Sequence, residues 1–430
     1  MRAASADDRS GATNGGGWPT PAAAPAPPEA LYVHVPFCIS LCPYCDFVVV
    51  AGAAARGPES RVDAFVVALR RELELRADLL DARWGPPGGR RPGLGSLYLG
   101  GGTPSLLPPD AIRAIVDLVD ARYGLATGAE ISLEANPGPD DRGDAAALVA
   151  AGIGRMSYGA QALDDATLKG LGRRHRAADV ADAVLEAREA GVASLNLDLL
   201  YDVPGASVDG WMTTLDWALE LEPDHLSLYA LTLDDPDAEG LTGPIGDHLP
   251  TTRGARRWRD TARAGQDEDR AAAMYHHAVH RLAAAGFAGY EISNWARPGH
   301  ESRHNLAYWE RRPYEAVGPG AHAFDGATRR WNAARLDAYL AALTPPDGDP
   351  GHLPPGGEES IDGDAAAAER VILGLRTSRG IPVAAMLEPP LADHFGWAIA
   401  AELLEVTSEE RIVLTTRGRL LSNELFARLV

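Results

Sequence analysis

Val35-Pro-Phe-Cys-Ile-Ser-Leu-Cys-Pro-Tyr-Cys-Asp-Phe47 holds every cysteine of the chain: Cys38, Cys42 and Cys45 fall within eight residues, and none occurs elsewhere. Three thiolates on one short loop can hold three corners of a cubane iron–sulfur cluster, whose full ligand set takes four cysteines. One iron is then left open to an exogenous ligand. Disulfides need pairs, and an odd count without a secretion signal points to a reducing compartment and a metal or redox role. Structural zinc wants four closed ligands. His34 is the nearest fourth, but it lies in the apolar-alternating run Leu31–Val35 with Pro36 intervening. A thioredoxin-type pair uses the spacing of Cys42 and Cys45 and leaves Cys38 unexplained. On spacing alone, zinc stays open as the alternative to iron–sulfur.

Outward from this loop, short apolar runs alternate with amphipathic stretches. Strands are predicted at Leu31–Val35, Ser96–Leu99, Glu130–Glu134, Arg155–Gly159, Ser194–Leu199 and His225–Ala230. Helical patterns lie between them at Val62–Leu80, Ala111–Tyr123, Ala145–Ala151, Ala177–Ala190 and Val208–Leu221. Such β/α alternation implies a parallel sheet with crossover helices. Six units are fewer than the eight of a closed barrel. The reading is an α/β chain with a partial (β/α)6 barrel, although a doubly wound sheet fits the same pattern.

The ends of the chain differ in composition. Residues 1–30 are rich in Ala, Gly and Pro without a hydrophobic core segment, which reads as a disordered tail rather than a signal peptide. The barrel is assigned to 31–235, a linker or insertion to 236–270, an α/β extension to 271–345, and a C-terminal unit to 346–430. Within the last two, helices are expected near Asp267–Ala285, Ala365–Ser378 and Trp397–Glu405, a Gly/Pro/Asp-rich gap at Pro345–Gly363, and a hairpin at Ile412–Leu421. That α+β order resembles a small winged-helix end. A formal net charge of −20 argues against a nucleic-acid partner. No apolar run reaches the roughly 18 residues of a membrane span, so a cytoplasmic enzyme or carrier is expected.

Further chemistry-bearing residues recur at the strand ends. Gly100-Gly-Gly-Thr-Pro-Ser105 follows the second strand, where glycines let backbone groups approach a ligand closely. Glu134 and Asn136 close the third strand, Gln161 follows the fourth, and Asp198 sits in the apolar fifth. A carboxylate in an apolar strand is costly unless paired or facing a wet pocket. Arg173 could meet a ligand carboxylate.

Cys38-x3-Cys42-x2-Cys45 with Tyr44 resembles the signature of the radical S-adenosylmethionine (SAM) family. In that family SAM occupies the open iron, and its reductive cleavage yields a 5′-deoxyadenosyl radical. Tyr32-Val-His-Val-Pro-Phe-Cys38, Gly100-Gly-Gly-Thr-Pro104, Leu133-Glu-Ala-Asn-Pro137, Ser157-Tyr-Gly-Ala-Gln161 and Gly318-Pro-Gly-Ala-His322 resemble the oxygen-independent coproporphyrinogen III oxidase-like group. The resemblance implies a 4Fe-4S cluster and a radical-SAM partial barrel. It places SAM contacts on Tyr32, Tyr44, Gly101, Gly102, Thr103, Glu134, Gln161, Arg173, Asp198 and Ala230. Some members hold two SAM molecules, and several of these positions belong to the second site. An electron donor such as a flavodoxin or ferredoxin is also implied.

The group contains two functional classes. Its decarboxylating dehydrogenases carry a fourth cysteine two residues after the third, where this chain has Phe47. Cys45-Asp-Phe47 and His304-Asn-Leu-Ala-Tyr-Trp309 instead resemble the heme chaperone branch, which binds heme and delivers it to acceptor proteins. That likeness makes His304, Asn305, Tyr308 and Trp309 candidates for heme contact. Imidazole is a standard axial ligand and aromatic surface suits a flat macrocycle. Read without the resemblance, His304 fits a hydrogen-bonded core histidine better. The chain departs from the branch at Tyr201-Asp-Val-Pro-Gly205, where relatives have a Gly-Leu-Pro-Gly run.

Overall fold

The computed structural model describes residues 24–51, 61–234, 236–344 and 351–430. All six predicted barrel strands form: β1 (Ala30–Val35), then, after the two-residue strands β2 (Phe37–Cys38) and β3 (Val50–Ala51), β4 (Leu94–Gly101), β5 (Leu125–Ala135), β6 (Arg155–Gln161), β7 (Ser194–Tyr201) and β8 (His225–Ala230). Each neighbouring pair in the run β1-β4-β5-β6-β7-β8 is parallel. The helices Arg61–Trp84, Pro109–Tyr123, Ala145–Ala150, Ala177–Glu189 and Val208–Glu220 make the crossovers. Their apolar faces meet Leu97, Leu99, Leu133, Met156, Leu195, Leu197 and Leu226 in one core.

A period of two decides which face of each strand does what. Leu195, Leu197 and Leu199 are fully buried under the helices, while Asn196, Asp198 and Leu200 line the concave face. The same alternation sends Leu226 and Leu228 into the core and His225, Ser227 and Tyr229 into the concavity.

The sheet extends past the barrel on both flanks. β9 (Ala288–Gly289) and β10 (Asn294–Ala296) add antiparallel strands beyond β8, and β11 (Tyr314–Val317) adds a seventh parallel strand beside β1. β12 (His322–Phe324), β13 (Thr328–Asn332) and β14 (Gly356–Ser360) continue from β11, giving the order β14-β13-β12-β11-β1-β4-β5-β6-β7-β8-β10-β9.

Several local expectations are corrected. Residues 24–30 are docked, with the Ala26 amide donating to the Asp325 carbonyl at 2.7 Å and the Gly95 amide to the Glu29 carbonyl at 2.8 Å; residues 1–23 lie outside the described residues. The stretch read as a linker or insertion carries a helix, Arg253–Arg263, capped by Thr252. Strand β14 occupies part of the expected gap, whose residues 345–350 lie outside the described residues. The hairpin stands earlier than expected, between β16 (Leu404–Val406) and β17 (Arg411–Leu414), with β15 (Ile381–Pro382) as third strand. Helices Gly363–Arg376, Ala392–Ala400, Thr416–Leu420 and Ser422–Phe426 pack around it on a separate small core that includes Leu375, Leu391, Ile412 and Leu425.

Candidate cofactor and porphyrin cleft

A cleft of about 920 Å³ opens on the concave face at the strand ends. Cys38, Cys42 and Cys45 line it, all half-buried free thiols. Burial pushes the Cys38 thiol up to about 11 and the Cys45 thiol to about 12. The loop is tied down by backbone: the Val50 amide donates to the Pro36 carbonyl at 2.6 Å, and the Cys45 amide to the Cys42 carbonyl at 3.1 Å. It is also tied by a residue with no obvious sequence signal. Arg259, on the helix Arg253–Arg263, is buried and donates through Nε to the Pro43 carbonyl at 3.0 Å and through Nη2 to the Cys45 carbonyl at 2.9 Å. Its Nη1 donates to the carbonyl of Asp234. The neighbouring Trp258 packs against Tyr44 with ring centroids 6.2 Å apart.

A polar chain joins two of the thiols. Cys38 Sγ is 3.2 Å from Thr103 Oγ1, Asn136 Nδ2 donates to Thr103 Oγ1 at 2.9 Å, and Arg173 Nη1 donates to Cys42 Sγ at 3.5 Å. Arg173 Nη2 closes the chain by donating to Asn136 Oδ1 and, at 2.7 Å, to the Gly159 carbonyl. The glycine motif is explained first by protein packing. A Cβ on Gly102 would stand 2.6 Å from the Phe37 carbonyl oxygen, so the backbone leading from β1 into β2 itself demands the glycine. Gly101 and Gly102 also line the cleft, so the expectation of close approach to a ligand is extended rather than removed.

Across the strand ends, Glu134, Ser157, Asn196 and His225 stand in register on four adjacent strands. Asn196 Nδ2 donates to Ser157 Oγ and Asp198 Oδ1, both at 2.7 Å, and Ser157 Oγ donates to Asp198 Oδ2 at 3.0 Å. His225 Nδ1 meets Asn196 Oδ1 at 2.7 Å. Burial, with the Asp198 carboxylate as a second cause, pushes Glu134 up to about 7, although it accepts from Tyr98 Oη at 2.8 Å and the Gly101 amide at 2.9 Å. Asp198 is likewise raised by burial. Tyr32, Gln161 and Ala230 complete this wall, Gln161 with a φ of 65°. All ten positions expected to contact SAM except Thr103 line the cleft, and Thr103 lies behind Cys38.

His304, Asn305 and Tyr308 line another part of the same cleft, and Trp309 does not. His304 is buried, with Nδ1 2.9 Å from Ser96 Oγ and Nε2 2.8 Å from Tyr308 Oη, and its ring stacks on Tyr98 at 5.1 Å. Burial holds it neutral, lowering its pKa to about 3. Trp309 instead lies under Arg376, whose guanidinium carbon is 4.6 Å from the indole centroid. His34 contacts the Val48 carbonyl at 2.8 Å through Nε2 and Tyr32 Oη at 3.1 Å through Nδ1, so both ring nitrogens are engaged away from the thiols. Residues that the sequence reading left out are Arg259, Asp141, which accepts from Asn136 Nδ2 at 3.0 Å, and the cleft-lining Arg376 and Arg419.

These residues fit an iron–sulfur cluster. Three thiols on one anchored loop face a single cleft with an arginine beside Cys42. Among the described residues no three His, Cys, Asp or Glu side chains meet closely enough for a single ion; a cubane takes one thiolate on each of three irons.

The radical SAM superfamily profile matches residues 32–218. Over 414 residues the chain is 38% identical to the heme chaperone HemW of Mycobacterium tuberculosis, covering 95% of this chain and 97% of that one. The chain belongs to the HemW family of radical SAM proteins. The HemW family member of Bacillus subtilis is 28% identical over 411 residues, covering 93% of this chain and 98% of its own length. Among solved structures, coproporphyrinogen III oxidase (HemN) from Escherichia coli superposes with a TM-score of 0.73 at 23% identity, covering 95% of this chain and 91% of that one. That likeness speaks to the fold, and membership of the family implies a 4Fe-4S cluster and SAM.

Proposed function

We propose that this protein is a heme chaperone. It holds a 4Fe-4S cluster on Cys38, Cys42 and Cys45, SAM along Tyr32, Tyr44, Gly101, Gly102, Thr103, Glu134, Gln161, Arg173, Asp198 and Ala230, and heme beside His304, Asn305 and Tyr308. It then passes the heme to acceptor proteins. The observation that carries this reading is the match along nearly the whole chain to a relative named as a heme chaperone. Phe47 supports it. This side chain is 63% exposed, so the core does not require an aromatic there, and a cysteine at this position would cost little packing. Its place is nonetheless taken by a residue without a thiol.

When bound, the cluster supplies a reducible centre and an open iron for the SAM amino and carboxylate groups. The chain's own part is to hold the loop through Arg259, to set a cation beside Cys42 through Arg173, and to keep Glu134 largely protonated below neutral pH. For His304 to hold heme through Nε2, Tyr308 Oη would have to give up its contact with that nitrogen. A flavodoxin- or ferredoxin-type donor and a cytoplasmic setting, where the three thiols stay reduced, complete the proposal.

The test is anaerobic reconstitution followed by reductant and SAM with either coproporphyrinogen III or heme. Stoichiometric heme retention, lost in His304→Ala, is the expected result. Formation of protoporphyrinogen would instead make the protein a coproporphyrinogen III dehydrogenase and end the chaperone reading.

A further inference from the structure

The C-terminal unit closes one side of the cleft with Arg376, Arg419, Leu420, Ser422 and Asn423. Arg376 ends the helix Gly363–Arg376, and Arg419 belongs to the helix Thr416–Leu420. The charged residues of this wall are both arginines. The cleft's acidic residues, Asp46, Glu134, Asp141 and Asp198, come from the cysteine loop and the barrel. This local excess of positive charge stands in a chain of net charge −20, so it does not follow from composition.

The barrel's own cleft arginines are already committed. Arg155 Nη1 donates to Ser194 Oγ at 2.9 Å and to the His300 carbonyl at 2.8 Å. Arg173 serves Asn136, Gly159 and Cys42, and Arg174 pairs with Asp140 at 3.5 Å. Arg376 and Arg419 make no ion pair within 4.0 Å among the described residues. Arg376 Nε is buried and has no hydrogen-bond partner among the described residues. Glu291 is the acidic group whose field reaches it. That carboxyl is engaged through Oε1 by the Ser293 amide at 3.0 Å and by the Asn294 side chain, and burial raises its pKa. The Arg419 side chain has the Tyr275 phenol as a neighbour.

We propose that Arg376 and Arg419 form a carboxylate subsite that receives the propionate groups of a porphyrin, with Trp309 as the residue that positions Arg376. The inference rests on the heme reading above and deepens it. A porphyrin has a flat apolar body and two anionic arms. The cleft offers the stacked rings of Tyr98 and His304 on one wall and two guanidinium groups on another. Planar guanidinium forks match carboxylates with paired, charge-assisted hydrogen bonds. Stacking on the Trp309 indole holds the Arg376 guanidinium by a cation–π contact. This accounts for a tryptophan in the His-Asn-x-x-Tyr-Trp element that does not itself line the cleft.

The test is a Soret titration of the full-length protein with ferric protoporphyrin IX and with its dimethyl ester, in one detergent. The ester keeps the macrocycle and the iron and removes both anionic arms. Wild type is expected to prefer the free acid by at least about tenfold, the scale of one lost charge-assisted hydrogen bond. Arg376→Gln and Arg419→Gln should each lower affinity for the acid by roughly tenfold and leave ester binding unchanged. Trp309→Leu should reduce the acid preference in the same direction. Equal affinity of wild type for acid and ester overturns the subsite and leaves the heme reading standing. Equal losses for acid and ester in the variants overturn the assignment to these arginines. Absence of binding to either porphyrin overturns the subsite and the heme reading together.

Discussion

Arg259 Nη2 lies 2.9 Å from the carbonyl oxygen of Cys45, although 214 residues separate the two in sequence. The same guanidinium holds the Pro43 carbonyl, so one buried cation fixes the loop on both sides of Tyr44. Hydrogen bonds from charged donors are worth about 1.5–3 kcal/mol each, and truncation leaves the loop carbonyls without them. Arg259→Ala should therefore lower iron and sulfide content severalfold after anaerobic reconstitution. Arg259→Lys, which can reach one carbonyl but not three, should fall between. Full cluster loading in Arg259→Ala would show that the loop needs no such anchor.

Glu134 yields a stability prediction with a definite sign. Its pKa stands at about 7, above the ordinary 4.5, because burial and the nearby Asp198 disfavour its charge. Between these values the folded state binds a proton that the unfolded state has released, so stability falls as pH rises from about 4.5 to about 7 and then levels. Glu134→Gln keeps an acceptor for the Gly101 amide and removes the titration. The variant should match wild type near pH 4 and exceed it at pH 8, by on the order of 2–3 kcal/mol. Urea midpoints at the two pH values check this, and a pH-independent difference would refute it.

Buried imidazoles act in the opposite direction. His34 and His175 are held near 4, His304 near 3 and His225 well below the ordinary 6.5, in each case first by desolvation. Below pH 6.5 the unfolded chain takes up protons that the folded chain refuses, so these four groups withdraw stability as pH falls through the range from 6.5 to about 4. The expectation is a melting temperature that declines across that window, and less steeply in His304→Gln than in wild type. An unchanged slope in the variant would mean that His304 protonates without unfolding.

What the sequence revealed, and what it hid, follows from the range of the interactions. The barrel strands were legible because burial on one face and a polar cleft on the other write a period of two, as in Asn196-Leu-Asp-Leu199. The cysteine triad was legible because its ligands are local. Arg259 was not, since its partners on the cysteine loop are more than 200 residues earlier and nothing in its own helix, Arg253–Arg263, points to them. The strand at Gly356–Ser360 was hidden because its glycines read as a loop. A Cβ on Gly357 would strike the Trp331 ring at 2.2 Å, so the cross-strand partner dictates the residue. The C-terminal hairpin stands earlier than the expected Ile412–Leu421 because Thr415 caps the helix Thr416–Leu420, accepting from the Gly418 amide at 2.9 Å, so the strand ends at Leu414.

Asp202 shows how the chain tolerates a side chain at a position whose backbone favours glycine. Its φ is 54°, a conformation that favours glycine, and its buried carboxylate accepts from Arg270 Nε at 3.0 Å. Asp is one of the side chains that tolerates the left-handed region, and the ion pair with Arg270 ties its carboxylate down. Asp202→Gly removes the ion pair but relieves the backbone, whereas Asp202→Ala removes the pair and keeps the strain. Stability should therefore fall in the order wild type, Asp202→Gly, Asp202→Ala, with the two variants separated by about 1 kcal/mol. Arg270→Gln breaks the pair, keeps the strained turn and leaves the buried Asp202 carboxylate unpaired, so it should destabilise at least as much as Asp202→Ala. Urea unfolding of the three variants measures the order, and an Arg270→Gln protein as stable as wild type would show that the pair adds nothing to the fold.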